Sequence, residues 1–340
     1  MINIVGKRNI FFTISGLLVF LSVVFILVFG LKPGIDFTGG SLMEISFTTE
    51  RPGLADMQAQ FADNNYGNVL VQPTEENGYL LKMRFISEEE HQEILKNLRE
   101  KFEVVKDSAV NIDIEGNGDA NELLSISTTI ASSTDEATSE AGAISDNRLI
   151  EERIETIGPA ISSQLQKRSL EAAIAVIIAI VLYVAYAFRK VSKPIQSWKY
   201  GITAIIALVH DVTITMGVFA VLGKLYGVEV DIPFVVAMIT ILGYSVNDTI
   251  VVFDRVRENL IKYGYEKFDE IVNKGVNETI SRSINTAFTT LLVLVALFFF
   301  GGSTIHYFSL ALIIGISFGT YSSIFLASPL LVVWQKISKK

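Results

Sequence analysis

The stretch LGYSVNDTIVVFDRVREN (242–259) decides what kind of molecule this is. It continues an apolar run that begins at Ile232, reaches Phe253 and then turns abruptly into charge. About 20 predominantly apolar residues suffice to cross about 30 Å of hydrocarbon, so 232–253 reads as a membrane span. Asp248 sits in its second half. An ionised Asp at a span centre costs about 2.5–3.5 kcal/mol on insertion scales, so a chain that carries one there should gain something from it.

Working outward, five further apolar runs have spanning length. They cover 10–30, 169–188, 201–223, a run that begins within 276–283 and ends near 300, and 307–334. The last is long enough to tilt. Basic residues in short loops set the orientation. Lys7 and Arg8 precede the first span; Arg189, Lys190, Lys193 and Lys199 lie between the second and third. Arg255, Arg257, Lys262, Lys267 and Lys274 separate the fourth and fifth, and Lys336, Lys339 and Lys340 follow the sixth. If every run crosses, all four groups fall on one side, which predicts two cytoplasmic termini. The first run has the basic start of a signal peptide but is too long and lacks a small-residue cleavage site, so it reads as an uncleaved anchor.

Charge divides the chain in the same way. Residues 31–168 hold 25 Asp and Glu against 12 Lys and Arg, while the rest carries 11 against 16. An acidic domain is attached to a basic membrane body, and nucleic-acid binding is unfavourable for both. The absence of cysteine removes disulfides, thiolate chemistry and Cys-type metal sites.

The expected organisation follows: 1–30, a first transmembrane helix with a cytoplasmic N-terminus; 31–168, an extracytoplasmic α+β domain; 169–334, a five-helix transmembrane bundle; 335–340, a cytoplasmic tail. Within the domain, GIDFTGGSLMEISF (34–47) looks like a strand with a Gly-rich start carrying Asp36, Gly39 and Gly40. Residues 54–63 have helical spacing, with Leu54, Met57 and Phe61 on one side. NVLVQP (68–73) and GYLLKMRFIS (78–87) form a predicted hairpin around 75–78. SEEEHQEILKNLREKF (87–102) is a helix with Ser87 as cap, Glu90 three residues on, and Ile94, Leu95 and Leu98 inward. RLIEERIETIG (148–158) supplies a last strand, completing a split β-α-β, ferredoxin-like sandwich. The Ser/Thr/Ala-rich 125–145 buries too little to order itself, so about 116–147 reads as a flexible insertion or a docking site for a partner. The fold class is thus an α-helical membrane protein with six transmembrane helices plus this inserted domain.

Asp248 lies about 9 Å inside the charged boundary at Asp254. Arg282, in the fifth span, lies at a similar depth, which allows an Asp–Arg pair between neighbouring helices. Asn247, Thr249, Asn285, Thr286, Thr289 and Thr290 can hydrogen-bond around them or hold water. In ALVHDVTIT (207–215), His210 and Asp211 lie about 15 Å into the third span. Successive helical residues point about 100° apart, so at most one of the two faces a given neighbour squarely. Such groups can take up and release a proton. Bland alternatives stand beside these readings. Asp248 and Asp211 can be neutral packing residues, Arg282 can snorkel to headgroups, and His210 can simply fill space. No phosphate loop, G-x-S-x-G or H-E-x-x-H motif is present, so neither an enzyme, a cofactor nor a metal is expected.

GIDFTGGS (34–41), ALVHDV (207–212), GYSVNDTIVVFDRVREN (243–259), SRSINTAFTT (281–290) and GISFGTYSSIF (315–325) together resemble the SecF family of bacterial protein-export subunits. The resemblance is collinear and runs from residue 34 to the last span. It implies a resistance-nodulation-division type fold in the bacterial inner membrane, and a SecD-like partner. It further implies action on unfolded preprotein emerging from the SecYEG channel, driven by H⁺ or Na⁺ flow. It assigns the ion path to Asp248 and Arg282, with a further carboxylate from the SecD-like subunit; lipid is the other expected contact. Ile157-Gly158-Pro159 stands where the family has V-G-P, and 103–147 is longer than the family needs. Two rival expectations are half of a small-molecule or lipid exporter on the same fold, and a passive scaffold subunit.

Overall fold

The computed structural model describes residues 1–62, 65–74, 77–103, 148–187, 196–264 and 266–338. The insertion at about 116–147 lies outside them, as do two residues of the 75–78 turn and the end of the 335–340 tail. Two compact units emerge: Gly40–Thr156, and Met1–Gly39 with Ile157–Lys340.

The smaller unit is the α+β domain. Strands β1 (Gly40–Phe47), β2 (Leu70–Pro73), β3 (Gly78–Met83) and β4 (Leu149–Ile157) lie in the order β2-β3-β1-β4. The β3 strand runs antiparallel to both β1 and β2, with Met43 opposite Leu81 and Val71 opposite the same Leu81. Contacts of Ser41 with Thr156, Ser46 with Glu152 and Thr48 with Arg148 make β4 an antiparallel edge. Alternation places Met43, Ile45, Phe47, Tyr79, Leu81 and Met83 in the core. Helices α3 (Leu54–Ala59) and α4 (Glu88–Phe102) cover that face through Met57, Ile94, Leu95 and Leu98. The α4 capping box forms as its sequence predicts: Ser87 Oγ accepts from the Glu90 amide while the Glu90 carboxylate accepts from the Ser87 amide. Leu54 departs from expectation, since it opens α3 and is 41% exposed.

The strand expected to begin at residue 34 is also corrected. Residues Ile35–Thr38 form a short helix, α2, closed by Thr38 Oγ1 donating to the Gly34 carbonyl. Gly39 then reverses the chain at φ 72°, ψ 163°, a region that only glycine enters without strain.

The larger unit holds, among the described residues, six helical segments long and apolar enough to cross a membrane. They are α1 (Arg8–Phe29), α5 (Pro159–Ala187), α6 (Ser197–Tyr226), α7 (Ile232–Tyr263), α8 (Phe268–Phe300), and a composite of α9 (Ser303–Ser322), a π turn (Ser323–Ala327) and α10 (Ser328–Ser338). The protein is a multi-pass membrane protein. Helices outrun their apolar stretches: α5 starts at Pro159, so the polar 31–168 includes the beginning of a spanning helix. The α8 helix likewise starts at Phe268 rather than within 276–283. The π turn precedes Pro329, whose missing N–H cannot serve the preceding turn; Ser328 Oγ reaches the Ser323 carbonyl instead, at 3.0 Å.

Small residues let α1 and α6 approach closely. A methyl group at Gly217 would lie 2.4 Å from Ser22 Cβ, inside contact distance. The residues before α1 are tucked in as well. Ile4 and Val5 are buried, and the Asn273 side chain of α8 accepts hydrogen bonds from both their amides.

Candidate functional site

Asp211 is the centre of the membrane unit's polar interior. It has no exposed surface. Its Oδ1 lies 2.9 Å from His210 Nδ1 on the same helix, α6. Its Oδ2 accepts from Ser245 Oγ of α7 at 2.5 Å and from Ser322 Oγ of α9 at 2.9 Å. Three helices therefore converge on one carboxyl group. A carboxyl so far from water is tolerated only when hydrogen bonds replace its hydration, and here three do. Gly319 provides the room, since a methyl group there would sit 3.1 Å from Ser245 Cβ. His210 is buried too; its ring lies along that of Tyr321, with centroids 6.2 Å apart, and its Nε2 has no partner. As the 100° step requires, only Asp211 bonds to neighbouring helices; His210 is buried as well, its imidazole bonding its own neighbour rather than another helix.

Asp248 lies further along α7 and is partly buried. Its Oδ1 accepts from Ser283 Oγ of α8 at 2.5 Å, while its Oδ2 is buried without a hydrogen-bond partner. Thr249, beside it, is buried and donates to Ser323 Oγ at 3.2 Å. Ser322 and Ser323 are consecutive, so the start of the π turn touches both the Asp211 and the Asp248 surroundings.

Among the described residues, Asp248 and Arg282 make no close ion pair, although the guanidinium is near enough for its charge to act on the carboxyl. Ser283 takes the place facing Asp248, and the 100° step to its neighbour turns Arg282 outward. Arg282, Asn285 and Thr286 are exposed on α8, and Asn247 is exposed on α7. Thr286 Oγ1 bonds back to the Arg282 carbonyl. Matched depth was readable from the sequence, whereas the side of the helix was not. Ser245, Ser283 and Ser322 escaped notice altogether. The available signal was hydroxyl residues at helical spacing in GYSVND and GTYSS, as Ser245 stands three residues before Asp248.

The GIDFTGG stretch belongs to the membrane unit up to Gly39. Asp36 Oδ2 accepts the Ile232 amide at 2.8 Å, capping the start of α7. Gly40 continues the glycine turn at φ 132°. Among the described residues, no group of three or more His, Asp or Glu side chains is arranged to hold a metal ion.

Six membrane-length helices, an α+β domain between the first two and acids buried at helix junctions together define a multi-pass membrane protein with a polar interior. Comparison with known proteins specifies it further. Residues 138–337 match the family model for the C-terminal part of the protein export membrane proteins SecD and SecF, and residues 24–50 match the SecD/SecF GG motif. The chain belongs to the SecD/SecF family, whose members are accessory subunits of the Sec translocase. It is 39% identical to the protein translocase subunit SecF of Thermobaculum terrenum, covering 98% of this chain and 94% of that one. To SecF of Haemophilus influenzae it is 33% identical over 94% of this chain and 82% of the relative. The crystal structure of SecDF, a translocon-associated membrane protein from Thermus thermophilus, superimposes with a TM-score of 0.73 at 28% identity. That match covers 98% of this chain but 39% of SecDF, so the chain is equivalent to a minor part of that longer polypeptide.

Proposed function

We propose that this chain is the SecF-like half of an ion-driven motor that assists the late stage of protein export. It pairs with a SecD-like subunit beside the SecYEG channel, and its α+β domain engages unfolded preprotein on the extracytoplasmic side. Both termini are cytoplasmic, as the four basic groups require. The role is transport rather than catalysis.

One observation carries this reading: Arg282, Asn285 and Thr286, at helical spacing, make an exposed polar stripe on α8 at membrane depth, and Asn247 is exposed on α7 next to Asp248. A guanidinium or amide left against hydrocarbon is costly, so a partner's polar surface or a water-filled path has to cover this face. A SecD-like subunit supplies such cover, and ions then pass between the halves. The Asp248 carboxyl is the group on which a travelling H⁺ or Na⁺ docks, and Arg282 discharges it. One charge moving through 100 mV releases about 2.3 kcal/mol, enough to shift a two-state arrangement appreciably.

The test is secretion in cells carrying Asp248→Asn at normal abundance. Export is expected to collapse while the SecD-like subunit still co-purifies. Undiminished secretion would remove Asp248 from the mechanism. Self-assembly into trimers without a SecD-like chain would favour an independent exporter.

A further inference from the structure

Helix α7 carries Ser245 and Asp248, and its first turn is satisfied from outside the helix. Four N–H groups at a helix start lack intrahelical partners. Here Ile232 N donates to Asp36 Oδ2, Pro233 has no N–H, Phe234 N donates to Asp231 Oδ1 at 2.8 Å, and Val235 N reaches the Asp231 carbonyl. Asp36 comes from 196 residues earlier in the chain. The same loop is laced to the residues before α7: Val230 N donates to the Lys32 carbonyl and Gly34 N to the Val230 carbonyl, each at 2.7 Å. On its other side, α2 packs on α5, where Gln166 Nε2 donates to the Phe37 carbonyl at 2.5 Å.

The chain leaves this assembly for the α+β domain at Gly39 and returns at Ile157. The two points are adjacent. A methyl group at Gly39 would lie 3.4 Å from the Ile157 carbonyl oxygen and 3.3 Å from Ser162 Oγ. We infer that Asp36 and α2 are a mechanical linkage, tying the start of α7 to both covalent connections of the α+β domain. Ile232 lies about 24 Å along the helix from Asp248. An uninterrupted helix transmits a displacement over that distance, and Asp36 is the positioning residue that passes it on. This rests on the proposed coupling of Asp248 to export.

The absence of cysteine allows a direct test in the assembled translocase. A Cβ at Gly34 lies 3.7 Å from Asp231 Cβ, within the range a disulfide spans. Asp36→Ala is expected to lower secretion severalfold. Oxidising a Gly34→Cys/Asp231→Cys pair in that background should restore it, and reductant should abolish the restoration. Asp231→Cys alone is the control. Asp36→Asn, whose amide oxygen still accepts from Ile232, should export nearly normally, which keeps the idea testable if the Ala variant fails to accumulate. The linkage is refuted if Asp36→Ala exports fully, if the oxidised pair stalls an otherwise unaltered chain, if a formed disulfide gives no rescue, or if Asp36→Asn is as defective as Ala. Amide exchange at Ile232 should quicken in Asp36→Ala and not in Asp248→Asn. That readout separates failure of the linkage from failure of the ion-coupled reading, which Asp248→Asn tests by itself.

Discussion

At the scale of single residues, the membrane interior is organised by hydroxyls that satisfy acids. Ser245 and Ser322 hold Asp211, and Ser283 holds Asp248. A serine adds little apolar area, yet it donates where an unpaired carboxyl oxygen would be expensive. The two acids differ in completeness. Asp211 is fully buried with both oxygens engaged, whereas Asp248 is only partly buried. Asp211 therefore suits a fixed junction of α6, α7 and α9, and Asp248 suits the exchange of partners that the proposed function asks of it. Replacing Asp211 with Ala strands His210 and Ser245, while Ser322 keeps the Gly319 carbonyl as acceptor. It is expected to destabilise the folded chain by about 1–3 kcal/mol, the penalty of an unsatisfied buried donor, with Ser245→Ala costing less. Thermal unfolding of the purified protein measures both. Both acids were conspicuous in the sequence as charges within apolar runs. Their hydroxyl partners were not, because serine is unremarkable in a membrane helix until its neighbour across the interface is known.

At the scale of elements, helix termini do more than end helices. The start of α7 is finished by Asp36 from the distant α1–α2 segment, and α4 is finished locally by Ser87 and Glu90. The second case was fully legible, since a capping box lies within four consecutive residues. The first was not, because an aspartate in GIDFTGG has no sequence-local mark of the helix it serves. Local capping also predicts a pH response in the α+β domain. The Glu90 carboxylate is held below the usual range, first by its hydrogen bond to Arg84 and then by the Ser87 amide. A folded-state value below the unfolded one gives stability that is present above the ordinary carboxylate range, about pH 4, and lost as pH falls through the folded value. Protection factors in α4, which correct for the intrinsic pH dependence of exchange, should therefore fall on acidification, and Glu90→Gln should flatten that response. An unchanged acid profile in the Gln variant would assign the dependence to other groups.

At the scale of the whole molecule, the membrane unit is finished on one side and unfinished on another. The α6–α7–α9 junction is closed around Asp211, whereas α8 presents Arg282, Asn285 and Thr286 outward. The SecDF match, which covers 39% of that longer chain, agrees with a subunit that needs a counterpart. If Asp248 and Arg282 serve one step of ion passage, their effects are not additive. Arg282→Ala should impair secretion about as much as Asp248→Asn, and the double variant should be no worse than either. Additive losses in a quantitative export assay would place them in separate steps.

What could be read from the amino-acid order is whatever neighbouring residues decide among themselves. Six apolar runs, alternation in β1 and β3, the α4 cap and the β-α-β-β-α-β order all depend on residues a few positions apart. Even the depth of Asp248 follows from counting at 1.5 Å per residue. Direction around a helix is another matter, because one residue of uncertainty in a helix's phase rotates every side chain by 100°. Packing of several helices at once chose Ser283 over Arg282 as the neighbour of Asp248, and drew His210 and Asp211 into one pocket. It also brought Asp36 to Ile232. Those contacts join segments far apart in the chain, and their free energy exists only once the bundle has formed.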